Sequence, residues 1–397
     1  MSESASHAYP QPGAELDGLQ RAATAAAVLG VVGLVAGYVT SPDQFFRGYL
    51  IGYLYWLGIA LGSLAFMMIH HLSGGAWGLM IRRPLEAAAS TIPAMGVLFV
   101  PIIIGIPSLY EWSDAGKVAT DAIIAHRAPY LNPTFFTLSA IGYFVIWSGL
   151  ALTLIRWSRR QDRETPPPGA DLRFRHVSGP GVLIYGLTIS FASFDWVMSL
   201  DPHWYSTIFG LLYMVGQGLS AMAFIICVTF LLTRVEPLSH LVTAKNVSDL
   251  GKLLLAFTML WAYLSYSQFL ITWAANLPEE IPYYLRRFDH GWQWVSVLLV
   301  VGHFALPFSM LLSRDRKNKV HRLAVVGIIV LVMRFVDHDW LIRPQFQAEF
   351  GLPMWTSLAA WLGVGGIWLS LFVRQLRGHA VLQVNDPYLK EALADGH

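Results

Sequence analysis

The feature that most constrains this chain is a succession of apolar stretches, each about 20 residues long, separated by short polar connections. A helix of about 20 apolar residues crosses about 30 Å of hydrocarbon. Within lipid no water is available to backbone groups, so a spanning segment must bond internally, as a helix does. Ten such segments are placed at 22–41, 48–71, 86–106, 134–155, 180–199, 207–233, 252–274, 292–313, 323–342 and 355–374, numbered helices 1 to 10. The expected fold is an all-α integral membrane protein of about ten transmembrane helices. A 1–21 segment precedes the 22–374 membrane domain, and a 375–397 tail follows it.

Charge supports this reading. The 397 residues would suffice for two or three soluble domains, but only 13% are charged, against roughly 25% in soluble domains. A net charge of +2, scattered along the chain, gives no footprint for nucleic acid. Residues 1–20 are polar, hold Pro10 and Pro12, and have no basic region before the apolar stretch, so helix 1 reads as retained rather than as a cleaved signal.

The single cysteine, Cys227, excludes an internal disulfide, a Cys-x-x-Cys-His haem attachment and an all-cysteine iron–sulfur cluster within the chain. An electron-carrying metal would need histidine or carboxylate ligands, or a place in another subunit.

Lys and Arg set the orientation. Twenty fall on the side holding the N-terminus and six on the other, with Arg334 inside helix 9. Both termini are therefore expected in the cytoplasm. The longest external loop, 107–133, contains Trp112, Asp114, Asp121, His126 and Arg127; the longest internal connection, 156–179, is basic and holds Pro166, Pro167 and Pro168.

Helices 2 and 6 are alike. A shift of 158 places Gly52 on Gly210, Tyr55 on Tyr213, Gly58 on Gly216 and Leu61 on Leu219, and brings helix 4 onto helix 8 with Arg156 on Arg314. A shift of 144 places Asp195-Trp196 of helix 5 on Asp339-Trp340 of helix 9. The pattern is a parallel repeat, helices 2–5 (about 48–199) and helices 6–9 (about 207–342), each a four-helix bundle, flanked by helices 1 and 10.

Ionisable residues inside a membrane are costly and mark functional candidates. Helix 9 has the densest set: Arg334, Asp337, His338 and Asp339. Spacings of three and four put Asp337 and His338 on the Arg334 face, with Asp337 the natural counter-ion, while Asp339 points away. The set reads either as a proton path, with His338 titrating near neutral pH, or as an ion pair that fixes packing. His303 in helix 8 lies near mid-membrane, but a haem would need a second histidine at matching depth, and His338 lies nearer the outer side. It is expected to pack, hydrogen-bond or relay protons.

Asp195, followed by Asp201, His203 and Trp204, sits at an outer mouth, either gathering protons or capping helix ends within the aromatic belt. Gln217, Tyr263, Tyr266 and Gln268 are candidates to extend a hydrogen-bonded path. At the other face, His70-His71-Leu72-Ser73-Gly74-Gly75 ends helix 2, and Pro84 and Glu86 are expected in the first turn of helix 3 after Arg82 and Arg83. The paired histidines are left as a proton entry or a quinone headgroup contact. A quinone site needs an apolar groove with one or two polar groups, and several places qualify.

Several long motifs carry a resemblance: Gly62-Ser63-Leu64 through His70-His71-Leu72-Ser73-Gly74-Gly75-Ala76-Trp77-Gly78; Asp195-Trp196-Val197-Met198-Ser199-Leu200-Asp201-Pro202-His203-Trp204; Ala275-Asn276-Leu277-Pro278-Glu279-Glu280; His303-Phe304-Ala305-Leu306-Pro307-Phe308 with Leu311-Leu312-Ser313-Arg314; and Asn385-Asp386-Pro387-Tyr388-Leu389. Nearly the whole chain resembles the F subunit of bacterial alternative complex III, a family similar to the polysulfide reductase membrane anchor. The resemblance implies a redox-silent membrane subunit of a quinol:electron-acceptor oxidoreductase, not catalytic alone. No cofactor is expected on this chain; haem c and iron–sulfur clusters would sit in partner subunits, with quinone or quinol nearby. The implied partners are a homologous quinol-binding multi-helix subunit, an iron–sulfur protein, c-type cytochromes and a terminal oxidase, in the bacterial inner membrane. The resemblance also implies paired four-helix bundles with two peripheral helices, and it transfers no catalytic residue. Two other classes stay open: a quinol-binding anchor, and a secondary transporter. Transporters break matching helices of their repeats, whereas Pro101 and Pro307 lie in non-corresponding ones.

Overall fold

A computed structural model describes residues 14–164, 169–233, 242–346, 350–351, 354–379 and 385. Pro10, Pro12, Pro166 to Pro168, Arg234, Lys390 and the motif residues Asp386 to Leu389 lie outside the described residues. The secondary structure is helical, with no strand among those residues.

The ten long helices are α1 (Ala14–Thr40), α2 (Pro42–Ser73), α3 (Leu79–Ile104), α4 (Pro133–Arg163), α5 (Ala170–Trp196), α6 (Phe209–Leu232), α7 (Ala244–Ala275), α8 (Trp292–Leu312), α9 (Val320–Ile342) and α10 (Met354–Arg377). Nine of them are long and apolar enough to cross a membrane, making the chain a multi-pass membrane protein in architecture. The exception is α9, whose 23 residues include Arg322, Arg334, Asp337 and Asp339. Several helices outrun the expected spans. α4 continues to Arg163 and α7 begins at Ala244, because polar turns at a helix end extend out of the apolar layer without breaking the helix.

Breaks follow proline. Proline lacks the amide proton and its ring clashes with the carbonyl four residues earlier. Accordingly α3 restarts at Ile92 and Val100, each followed at once by a proline, Pro93 and Pro101. In α8, Pro307 cannot bond the His303 carbonyl, and the turn before it relaxes into a π-helix over Leu299–Ala305. Pro84 corrects one expectation. It lies inside the Leu79–Ala89 helix rather than at its start, so Arg82, Arg83 and Glu86 all ride on that helix.

The two expected bundles have the same ring order. α2 packs on α3 and α5, with α4 against both; α6 packs on α7 and α9, with α8 against both. α2 and α6, the pair matched most closely in sequence, are the central helices and pack on each other. A Cβ on Gly62 would come within 2.3 Å of the Gln217 carbonyl oxygen, so only glycine lets the backbones approach. α1 and α10 do not flank opposite sides. They pair antiparallel and lie together on α2. Their contact is a ladder of small residues, a common device in lipid, where close van der Waals packing replaces the hydrophobic drive. Gly30 faces Gly363, Gly33 faces Ala359, and Gly366 faces Ala27. Arg377 Nη2 pairs with Asp17 Oδ1 at 2.7 Å, so the first and last long helices begin and end on one side, here side A.

On the opposite side, B, two side-chain contacts tie loops to one another. His203 Nε2 donates to Asp121 at 2.7 Å, and Arg286 pairs with Asp201. The Ile124 amide, then the His203 ring, hold the Asp121 carboxyl below its ordinary value. Burial pushes Asp201 up, but bonds from Gln345 and Arg286 more than offset it and leave it lowered.

Gly30→Leu forces a side chain into the α1–α10 contact and is expected to cost about 1–3 kcal/mol. Gly149→Leu, on an open face of α4 with nothing within 4 Å, is expected to be neutral. Thermal unfolding in detergent, followed by tryptophan fluorescence, checks this, and equal melting points for the two variants would refute the contact. Because both side-B carboxylates are depressed, their contribution is complete above about pH 4 and is lost as pH falls through the lower folded values. Amide protection over 110–131 and 201–206, with exchange rates corrected for their intrinsic pH dependence, should therefore fall as the pH drops below that value, and unchanged protection there would refute the contribution.

Candidate functional site in the second bundle

On α9 the expected spacing places the Asp337 carboxylate on the Arg334 guanidinium as a buried ion pair, both side chains at most 5% exposed. Arg334 Nε also donates to Ser220 Oγ of α6 at 3.2 Å, and Trp261 of α7 hydrogen-bonds Asp337. A Cβ at position 216 would lie 2.5 Å from Arg334 Nη2, so Gly216 is the opening through which the guanidinium reaches α6. Each partner comes from a different helix, and the charges are neutralised where α6, α7 and α9 meet.

His338 turns back along its own helix. Its Nδ1 stands 2.8 Å from the Arg334 carbonyl oxygen, which only accepts, so Nδ1 carries the proton and Nε2 keeps a lone pair. Nε2 is buried without a partner among the described residues, between the rings of Tyr55 and Tyr213. His303 sits on the π-turn of α8 with its ring centroid 3.9 Å from that of Trp261. Both its ring nitrogens are buried and unpartnered among the described residues. π-turns inside helices often accompany functional positions. Arg334, Asp337, His338 and His303 therefore form one group, with Trp261 linking His303 to Asp337.

Beside the group lies a cavity of about 510 Å³ between α6, α7, α8 and α9. Its walls are mainly aromatic, including Trp261, Phe269, Tyr283 and Phe304, with Arg334 and Asp337 on one side. Its mouth faces outward between α7 and α8, where Tyr266 and Val300 are more than 60% exposed.

The remaining candidates stand in three other places. Asp339 points away from Arg334, as expected, and pairs with Arg343 at 2.8 Å, while Ser357 of α10 bonds Arg343. Asp195 accepts hydrogen bonds from Tyr130 at 2.7 Å, Tyr143 at 2.8 Å and Ser139 at 3.3 Å. The repeat explains the difference. Tyr130 and Tyr143 correspond to Phe288 and Val301 in the second copy, and Arg343 corresponds to Ser199 in the first. Each carboxylate is satisfied by what its own copy supplies.

On side A, Glu86 receives Arg83 at 2.7 Å, Arg82 at 3.1 Å and Ser158 at 2.5 Å, and Asp162 takes the other end of Arg83. Two cations and two carboxylates balance. His71 stacks on Phe174, and a Cβ on Gly78 would collide with His70 Nδ1 at 2.0 Å. Gly74 and Gly75 take positive φ of 66° and 89°, making the expected turn.

Of the extra polar residues, Gln268 lines the cavity, Tyr266 stands exposed at its mouth, Gln217 accepts from Tyr185 at 2.8 Å, and Tyr263 faces outward. Sequence reasoning did not single out Trp261, Ser220, Tyr143 or Arg343. The Gly216–Ser220 pair, one helical turn apart in an apolar helix, was the available signal for an arginine partner. Among the described residues no three of His, Cys, Asp and Glu gather to hold a metal ion. No protein-family model matches the chain, and no curated protein matches it.

The buried pair yields a double-mutant test. Arg334→Met or Asp337→Leu alone leaves an uncompensated buried charge and is expected to cost about 3–5 kcal/mol, while the double variant regains most of it. Additive losses in chemical or thermal unfolding would show that the two side chains do not interact.

Proposed function

We propose that this chain is a redox-silent membrane subunit of a respiratory quinol:electron-acceptor oxidoreductase of the alternative complex III kind, acting as scaffold and proton-conducting element. The observation that carries the proton role is the buried Arg334–Asp337–His338 group at the meeting of α6, α7 and α9. A buried carboxylate beside a histidine with a free lone pair is a place where a proton can rest and be handed on. The resemblance in the long motifs supports the choice of complex. The lone Cys227 agrees with haem c and iron–sulfur clusters being carried by partner chains. The excess of Lys and Arg on side A supports cytoplasmic termini in a bacterial inner membrane.

In this reading, Asp337 is the counter-ion of Arg334 and His338 exchanges protons through Nε2. His303, behind Trp261, extends the group into α8. Glu86, His70 and His71 at side A and Asp195 at side B are the corresponding polar stations nearer each surface. Asp339, tied to Arg343, has a packing role against α10.

Asp337→Asn combined with His338→Ala tests the role. The amide keeps hydrogen bonds to Arg334 and Trp261 but leaves the arginine charge unbalanced, so the variant is expected to be less stable and is measured on complex that retains its normal chains. Proton release per electron by the purified complex in proteoliposomes is expected to fall. Unchanged proton stoichiometry would remove the proton role, and loss of assembly would assign the group to packing alone.

A further inference from the structure

The α1–α10 pair leaves a recess at its side-A end. Toward the membrane interior Gly366 packs on the backbone of Ala23 and Ala27, and toward the surface Arg377 closes on Asp17. Between these two contacts lies a space of about 690 Å³, lined by Gln20 of α1 and by Ser370, Leu371, Arg374, Arg377 and Gly378 of α10. Ser370, Arg374 and Arg377 are spaced four and three apart, so they share one face of α10. Arg374 is exposed and has neither an ion pair nor a hydrogen bond among the described residues, and the Ser370 hydroxyl is equally uncommitted there.

The surroundings of the recess are positive. Arg21 donates to the Asp17 backbone carbonyl at 3.4 Å, and Arg159 of α4 reaches Gln375 Oε1 at 3.0 Å. Of the guanidiniums of Arg21, Arg159, Arg374 and Arg377, that of Arg377 alone has a carboxylate partner among the described residues. The dipole of α10 favours arginine in its last turn, but it does not call for a hydroxyl and an amide beside it around one open space. Followed inward along the helical turn, the Gln20 side of α1 continues through Val28, Val31 and Val35, each more than 40% exposed. The occupant must therefore be anionic at the recess and apolar along α1. Free phosphate meets the first condition only, whereas an anionic phospholipid meets both and is supplied by the bilayer itself.

We propose that the recess between the side-A ends of α1 and α10 binds an anionic phospholipid, with the phosphate on Arg374, Ser370 and Gln20 and an acyl chain along Val28, Val31 and Val35. The site stands on the recess and its charges alone, whichever complex the chain joins. Bound there, the lipid would bridge the first and last long helices beyond the reach of their small-residue contact.

A phosphatidylglycerol with a photoreactive acyl chain, applied to the protein purified in mild detergent and mapped by peptide mass spectrometry, tests the site. Labelling is expected on α1 and α10 peptides, and excess unlabelled phosphatidylglycerol should compete it away while phosphatidylethanolamine and inorganic phosphate do not. Arg374→Gln should reduce labelling about tenfold, Arg374→Lys should keep most of it, and Arg316→Gln, an exposed arginine of the second bundle, should leave it unchanged. An unchanged melting point checks that these exposed substitutions leave the fold intact, and the competition arms use the unaltered protein. Absence of label from α1 and α10, or labelling that ignores Arg374→Gln, would overturn the site. Equal loss in Arg316→Gln would reduce it to general attraction by a basic surface. Competition by phosphatidylethanolamine as effective as that by phosphatidylglycerol would remove the charge selectivity, and displacement by inorganic phosphate would make it a free-anion site instead.

Discussion

A cation within a membrane bundle must be neutralised by protein, and Arg334 imposes that requirement on the helices around it. A central arginine costs about 2.5–3.5 kcal/mol even on insertion scales that allow it to relax. Here the cost is offset locally: Asp337 supplies the charge, Ser220 a hydrogen-bond partner, and Gly216 the room. Trp261 holds Asp337 from α7 and touches His303 on α8. A charged helix thereby becomes an interior helix, and the four helices of the second bundle are tied to one another by the same group.

The repeat clarifies why the two halves differ. Both bundles place an Asp-Trp pair at the side-B end of their last helix, in the same ring order. In the first, three hydroxyls surround Asp195; in the second, Asp339 takes Arg343 and leaves the hydroxyl positions apolar. The cavity and the mid-membrane charges occur together in the second copy.

Much of the architecture was legible because the membrane enforces it. Span length, the parallel repeat and the Arg334–Asp337 pairing follow from helix geometry and from the cost of polar groups in lipid. The misplaced features depend on contacts across helices. Pro84 read as a helix start because proline favours the first turn, yet the helix begins at Leu79 and Glu86 is held by Arg82, Arg83 and Ser158 from within. The α1–α10 pairing was hidden because small residues recur throughout apolar helices, and only partners reveal which face they line. The cavity was equally hidden. It is made of aromatic residues common in any bundle, and spacing along one helix does not tell which of them face a shared space.

Purifying the tagged chain from its native membrane in mild detergent, recording the absorption spectrum and identifying the co-purifying chains tests the account most directly. The account predicts haem c bands, an iron–sulfur protein and a second multi-helix subunit in fixed proportion to this chain. A colourless protein purifying alone would contradict it, and would place the buried charges of α9 in a transporter instead.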